Sequence, residues 1–328
     1  MKNFKHVTVA ILTFNAINQI DRCLESLLDQ DYPCFKILLI DNASTDGTVD
    51  HIKENYPNLQ LLALPTNLGF AKAHNIGIRS VKSQFYMPLN PDVKLTPNFL
   101  SEIVAAIEHH DGIGSVTGKL LYMDENGREQ KQIYTTGHLL TRSRSPSNRG
   151  YKRPDVGQYD NPELVFAANG AAPLYRREML EDICLNGEYF CEDFFIYGED
   201  HDLGWRAQLR GWECHYAPNA IGYHVGFGSG GIKNFRVQVQ FTRNRYLTLV
   251  RNDQWSHLLR DIPFIFAYEL IWQLSWLIRS PRRVLAHWLG AYQALYALFP
   301  HLKARRCIQA SRITPVKSIR SYFVNQLW

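Results

Sequence analysis

Between Val7 and Leu89 the chain alternates short apolar runs with stretches of helical periodicity, and three of the apolar runs end on polar residues. Val7–Phe14 (VTVAILTF) is β-branched and apolar and stops at Asn15. A strand without a polar face has both faces covered, as buried strands of parallel sheets do. Ile17–Gln30 spaces Ile20, Cys23, Leu24, Leu27 and Leu28 along one side of a helix. Lys36–Ile40 (KILLI) is a second buried run, closed by Asp41-Asn42-Ala43-Ser44-Thr45-Asp46-Gly47. A helix over Thr48–Tyr56 is stopped by Pro57; a strand over Leu59–Leu64, a helix over Ala71–Ser80 and a strand over Gln84–Leu89 follow. This rhythm predicts an α/β fold, an open and mostly parallel sheet with helices on both faces.

Sheets of that kind bind ligands beyond the carboxyl ends of their strands. Thr13 and Asn15, Asp41 and Asn42, and Asn90 and Asp92 stand at three such ends. Their coincidence is the first sign of a site.

The next part is less regular. Segment 141–162, rich in Arg, Ser, Pro and Gly, reads as a mobile loop. From Ile262 the character changes to two apolar stretches, Ile262–Ile278, interrupted by Glu269 and Gln273, and Val284–Phe299 with Trp288, Tyr292 and Tyr296. A spanning helix needs about 20 apolar residues, so two helices lying in a membrane interface, or packed on each other, are expected instead. The boundary is placed at residue 250, with a main domain over 1–250 and a basic, apolar helical region over 251–328.

Charge sharpens that reading. The chain carries a net +5, yet from Arg251 onward eleven Lys/Arg face only three acids, Asp253, Asp261 and Glu269. The asymmetry suggests a polyanionic surface near the tail. Its basic residues lie among apolar stretches and not on an aromatic-lined polar groove, which favours membrane over nucleic acid. A helical cap on the core, or a homodimer surface, is the other reading of the tail. The six cysteines form no CxxC pair and fit reduced thiols in the cytosol. No apolar signal-peptide region precedes Val7. The expected location is cytoplasmic, peripheral on the inner face of the membrane.

Four positions carry candidate chemistry. Asp92, on the turn Asn90-Pro91-Asp92, suits a hard divalent cation that neutralises a diphosphate, or is a plain turn residue. Asp41 contacts a base or ribose, or forms an Asx turn beside the helix caps Ser44 and Asp46. Glu199 and Asp200 lie at a helix start among aromatics, where a carboxylate acquires the tuned pKa of a general base or serves as an acidic cap. Asp202 and Arg206, four apart, read as a helical ion pair. His224, a metal ligand or a structural histidine, precedes Val225-Gly226-Phe227-Gly228-Ser229-Gly230-Gly231, a run whose amides can approach an anion. Its G-x-G-x-x-G spacing stands too far along the chain to be a dinucleotide fingerprint.

In this order the segments VAILTFN (9–15), LLIDNASTDGT (38–48), NLGFAKAHNIGI (67–78), MPLNPDV (87–93), NGAAPLYRRE (169–178), FFIYGEDHDLGWRAQLRGW (194–212), HVGFGS (224–229) and RNRY (243–246) resemble inverting glycosyltransferases of family 2, with the GT-A fold. The likeness is greatest to the bacterial rhamnosyltransferase and galactofuranosyltransferase branch. It implies that Thr13 and Asn15 flank the nucleotide and Asp41 contacts the base. Lys72 and Asn75 lie in the donor-facing helix. Asp92 is the metal-binding carboxylate of an Asp-x-Asp motif whose first place is taken by Asn90. Asp200 is the catalytic base, with Glu199 beside it on the acceptor side. His224 completes the metal or diphosphate site, and Asn169 and Gly170 line the acceptor pocket.

The implied cofactor is a divalent metal, Mg2+ or Mn2+. The implied reaction moves a sugar from a nucleotide-sugar donor, dTDP-rhamnose-like or a UDP-sugar, to a hydroxyl of a glycan or lipid-linked glycan, with inversion, in cell-surface polysaccharide synthesis. Two other functions compete. A sugar nucleotidyltransferase needs a Gly-rich, basic loop after the first strand, and Asn15-Ala16-Ile17-Asn18-Gln19 has neither feature. A non-catalytic glycan-binding scaffold on the same fold is disfavoured because Asp92 and Asp200 are both present.

Overall fold

The computed structural model describes residues 4–226 and 234–324. The predicted alternation is present: β1 (Val7–Thr13), α1 (Ile20–Leu28), β2 (Phe35–Asp41), α2 (Thr48–Asn55), β3 (Gln60–Ala63), α3 (Gly69–Ser80) and β4 (Phe85–Leu89). Next come β5 (Val93–Leu95), α4 (Phe99–Ile107), β6 (Ile113–Met123), β7 (Glu129–Thr135), β8 (His138–Thr141), β9 (Pro146–Asn148), β10 (Glu163–Val165) and β11 (Pro173–Arg176). Helices α5 (Arg177–Asp182) and α6 (Glu199–Leu209) lead to β12 (Glu213–His224). The chain continues through α7 (Phe235–Asn252), α8 (Trp255–Arg279), α9 (Pro281–Tyr296), α10 (Leu298–Ala310), α11 (Val316–Arg320) and β13 (Phe323–Val324).

The main sheet runs β10-β12-β6-β11-β4-β1-β2-β3. β3, β2, β1 and β4 are parallel neighbours, and β6 and β12 form a second parallel pair. β11 lies antiparallel between the two blocks. β1 has β2 on one side and β4 on the other, which makes its carboxyl end the place where strand order reverses and ligands bind.

Strand pleating divides the core. Val7, Val9, Ile11, Ile37, Leu39, Phe85, Met87 and Leu89 face the layer containing α1 and α4. Ala10, Leu38, Ile40 and Tyr86 face the layer containing α3, α5 and α6. Both faces of these strands are thus buried, as their unbroken apolar runs require.

Segment 141–162, expected as a mobile loop, is built into the protein. β8 and β9 pair antiparallel in a small second sheet with β13. Arg144 is buried in the turn between them and donates to Asp253 at 2.9 Å and to Asp261 at 2.8 Å. Arg142 also donates to Asp261, at 2.8 Å. Two of the three acids of the tail therefore neutralise arginines of this segment. The third, Glu269, accepts from Arg245 at 2.5 Å.

The boundary expected at 250 falls within the last turn of α7, which packs on both α9 and α10. The two apolar stretches are helical, in α8 and α9, and leave much of their apolar surface uncovered: Ile262, Phe266, Leu274, Ile278, Trp288 and Tyr292 are all exposed. Among the described residues no helix is long and apolar enough to cross a membrane.

Candidate active site

A cavity of about 790 Å³ opens beyond the carboxyl ends of β1 and β4. Asn90, Asp92, Asn169, Gly170, Glu199, Asp200 and His224 all line it. These seven predicted residues come from the β4–β5 turn, the loop before β11, the start of α6 and the end of β12.

Asp92 and His224 meet in the cavity lining. β5 pairs antiparallel with the end of β12, with Val93 opposite His224, so the turn after β4 is held against that imidazole. His224 Nε2 lies 3.0 Å from Asp92 Oδ1, and both side chains are buried. Burial pushes the Asp92 carboxyl up, but the imidazole charge and hydrogen bonds from His224 and the Gly226 backbone outweigh it and hold the carboxyl below its usual range. Tyr134 packs edge-on against His224 with ring centroids 4.3 Å apart. His224 Nδ1 is buried without a hydrogen-bond partner. An anionic oxygen and an imidazole nitrogen on one spot form a donor set that suits a small divalent ion sharing its remaining positions with phosphate and water. About 3 Å is also the separation of neighbouring ligands around an octahedral ion at ~2.1 Å. The glycines expected to approach the anion, Gly228, Gly230 and Gly231, lie outside the described residues.

Glu199 and Asp200 open α6 behind the cap Gly198, whose φ of 90° favours glycine. The segment before them is unusual: Phe195 and Tyr197 also have positive φ, 59° and 67°. Such geometry persists only where its surroundings over-determine it. Asn244, fully buried on α7 within the RNRY segment, donates through Nδ2 to the carbonyls of Phe194, Ile196 and Tyr197 at 2.8, 3.0 and 2.7 Å. The Phe195 carbonyl accepts from Phe70 N at 2.6 Å, and a Cβ at Gly69 would lie 2.4 Å from the Phe195 ring. One amide on α7 and a glycine on α3 thus set where α6 starts.

Asp200 is tightly held. Its Oδ2 lies 2.8 Å from His138 Nε2 and accepts from Gly170 N at 3.0 Å, while Oδ1 accepts from His201 N at 2.8 Å. Burial opposes ionisation, but the charge of His138 and the hydrogen bonds from His138 and His201 overcome it and keep Asp200 well below the carboxylate range. Glu199 behaves oppositely: burial, then the Asp200 charge, hold its carboxyl well above that range. Its Oε2 is buried and unpartnered. Their surroundings push the two carboxyls in opposite directions. Asn169 bridges Asn148 of β9 and Ala171 N, at 3.2 and 3.0 Å.

The remaining predicted residues do not line the cavity. Thr13, Asn15 and Asp41 form the layer behind its rim. Asp41 is buried and accepts from Thr13 Oγ1 at 2.9 Å and from Ser44 Oγ and N at 2.5 and 2.9 Å. Asn15 accepts from Thr45 N at 2.8 Å and donates its own N–H to Ser44 Oγ at 2.9 Å. It is the neighbour, Asn42, that lines the cavity while bonding Asn67 and Leu68 N. Lys72 and Asn75, expected to face the donor, are engaged elsewhere on α3. Lys72 Nζ lies 3.5 Å from Glu192, and Asn75 is fully buried, bonding the Phe190 backbone in both directions at 2.8 and 2.9 Å. They anchor segment 190–192 to α3.

The sequence did not single out His138, Tyr134 or Asn148. Asp202 does pair with Arg206, at 2.9 Å, and also with Arg251 at 2.6 Å and Asn252 at 2.8 Å, joining α6 to α7. Another group, His110, Glu213 and His215, lies together near the surface. His110 Nδ1 accepts from Gly112 N at 3.2 Å, which leaves the proton on Nε2, facing Glu213 at 3.1 Å. That imidazole is a hydrogen-bond donor and not a free ligand.

A model of glycosyl transferase family 2 matches residues 8–184, more than half of the chain. The chain is 28% identical over 244 residues to the N-acetylglucosaminyl-diphospho-decaprenol L-rhamnosyltransferase of Mycobacterium tuberculosis (strain ATCC 25618 / H37Rv), covering 68% of this chain and 77% of that protein. The structure of GalNAc-T7 with UDP, GalNAc and Mn2+ matches with a TM-score of 0.64 and 17% identity over 81% of this chain. The match covers 51% of the GalNAc-T7 chain, so this chain spans about half of it. S. aureus TarS 1-349 in complex with UDP-GlcNAc matches with a TM-score of 0.55 and 17% identity, over 98% of this chain and 93% of that one. At such identities the structures speak for the fold, which is of GT-A type with a C-terminal helical region. By the family match, and with the fold in agreement, the chain belongs to glycosyltransferase family 2.

Proposed function

We propose that this transferase moves a sugar from a nucleoside-diphosphate donor to a hydroxyl acceptor with inversion, Asp200 being the general base and Asp92 with His224 the divalent-metal ligands. One observation carries the reading: a single cavity is lined both by the Asp92–His224 pair and by a firmly held Asp200. A Mg2+ or Mn2+ ion held by Asp92 and His224 would supply positive charge to the leaving diphosphate. Asp200 takes the acceptor proton as the acceptor oxygen attacks the anomeric carbon from the face opposite the leaving group, which inverts that centre. Glu199, kept protonated, offers a hydrogen-bond donor beside it, with Asn169 and Gly170 completing the acceptor side. Asn42 and Asn90 face the donor, while Thr13, Asn15 and Asp41 shape its rim from behind.

The acceptor we favour is a glycan carried on a lipid, and the donor a dTDP-rhamnose-like or UDP-sugar. Part of the cavity lining is apolar, with Leu139, Leu140, Trp205, Phe241 and Leu249. Ser145 in the same lining meets Tyr268 of α8 at 2.7 Å, so the cavity adjoins the exposed apolar helices. The rhamnosyltransferase relative is named for a diphospho-decaprenol acceptor. We treat 1–250 as the catalytic unit and 251–328 as a foot that rests on the inner membrane face. The arginines Arg279 and Arg282 beside the exposed apolar residues support this.

The test is nucleoside diphosphate release from UDP-, GDP- and dTDP-sugars, with and without Mn2+. Metal-dependent release is expected from at least one donor. Pyrophosphate release from a sugar phosphate and a nucleoside triphosphate would instead mark a nucleotidyltransferase, and binding without release a scaffold.

A further inference from the structure

We infer that His138 is a positioning residue for the base: its Nε2–H, together with the Gly170 N–H, clamps Oδ2 of Asp200. The inference rests on Asp200 being the base.

The geometry comes from elements distant in sequence. His138 opens β8, and its backbone N–H bonds the Ala167 carbonyl at 2.8 Å, so the imidazole is set by the sheet and not by a free loop. The ring is buried and lies tilted against His201, with centroids 3.9 Å apart. Its Nε2 meets Asp200 Oδ2 at 2.8 Å, and its Nδ1 is buried without a partner. Gly170 N reaches the same Oδ2 at 3.0 Å. An ionised carboxylate oxygen has lone pairs for both donors, whereas a proton on Oδ2 would leave one of them facing a hydrogen.

Apart from these donors and His201, the groups facing Asp200 oppose or neglect its ionisation. Glu199 on α6 adjoins it, and Tyr134 of β7 and Tyr175 of β11 lie near enough to feel its charge. Arg144 and Arg245 in the cavity wall are committed to Asp253, Asp261 and Glu269. His201 also favours ionisation, its backbone N–H donating to Oδ1 at 2.8 Å and its Nδ1 lying 3.5 Å from the same oxygen. With the His138 donor removed, the shared proton is expected to redistribute from Glu199 toward Asp200. His138, Asp200 and His201 are also close enough to hold one ion. The Gly170 N–H already on Oδ2 argues for a hydrogen-bonded clamp.

The experiment compares H138F, which keeps a ring against His201 but has no N–H, with H138Q, which keeps a neutral N–H donor. The readouts are kcat against pH, donor KM and thermal melting in the full-length protein with Mn2+. For H138F we expect an acid limb moved to higher pH by about one unit or more and kcat at neutral pH lowered about tenfold or more, with donor KM unchanged. H138Q is expected to recover most of the wild-type profile. A folded H138F with the wild-type pH profile and kcat overturns the inference, and so does a folded H138Q as impaired as H138F. Wild-type protein that releases no nucleoside diphosphate from any donor would instead sink the transferase reading on which this one rests.

Discussion

His224 Nε2 lies 3.0 Å from Asp92 Oδ1 across 132 residues of sequence, both side chains buried at the mouth of the parallel block. The contact brings the end of β12 to the turn that follows β4, where we propose that one cation binds.

Replacing either residue should remove that place. Asp92→Asn and His224→Ala are expected to weaken Mn2+ affinity by about tenfold or more in the presence of nucleoside diphosphate. Isothermal titration with Mn2+ measures it. Affinities equal to wild type in both variants would assign the pair a purely structural role.

Asp200→Asn keeps the shape of the side chain and removes its basicity. Transfer should fall by about 10²–10⁴-fold while donor binding stays as it was. Single-turnover kinetics together with nucleotide binding decide the matter, and near-normal turnover would remove Asp200 from the base role.

Asn244→Ala frees the carbonyls of Phe194, Ile196 and Tyr197 at the strained entry to α6. A loss of about 1–3 kcal/mol in stability is expected from buried acceptors left unmade, with lower kcat because Asp200 is carried on the first turn. Urea unfolding and kcat measured on one preparation test both. Unchanged values in both would show that the positive-φ segment holds itself.

Asp202 is fully buried between Arg206 and Arg251. Although burial raises its carboxyl, the two guanidiniums hold it far below its ordinary value. A depressed native pKa gives stability that is fully present above the unfolded value, about 3.9, and is lost as pH falls toward the native one. Unfolding free energy should therefore drop below about pH 4, and drop less steeply in Asp202→Asn. That variant should itself lose about 3–5 kcal/mol at neutral pH by leaving buried charges uncompensated. Urea unfolding at pH 3, 4 and 7 gives the comparison, and parallel pH profiles for the two proteins would contradict it.

The foot should be salt-sensitive. Full-length protein is expected to sediment with vesicles containing anionic phospholipid, less so with neutral vesicles, and less again in R279E/R282E. Equal partition onto both vesicle types, or none, would favour a protein partner for α8 and α9.

The parallel block was legible because β1, β2 and β4 are apolar on both faces and interrupted by amphipathic α1 and α3. Their carboxyl ends located the site, but pleating decides which residue at an end faces it. Asp41 turned inward to Thr13 and Ser44, and Asn42 took the cavity side. Lys72 and Asn75 lay in a matching segment, yet their side chains join residues more than a hundred positions away, which helical periodicity does not encode. Segment 141–162 looked mobile because its arginines lack local partners, and those partners, Asp253 and Asp261, come 109 and 117 residues after Arg144. His138 was invisible for the same reason: its only signal is Asp200, 62 residues on.

The central claim is that one cavity holds the diphosphate at Asp92 and His224 with the acceptor beside Asp200. Anomalous diffraction from crystals grown with Mn2+ and a nucleoside diphosphate tests it most directly. The account predicts a manganese peak at ligand distance, about 2.1 Å, from both Asp92 and His224, with the diphosphate in the same cavity as Asp200. Manganese bound instead at His110, Glu213 and His215, or a nucleotide lying outside the cavity, would contradict it.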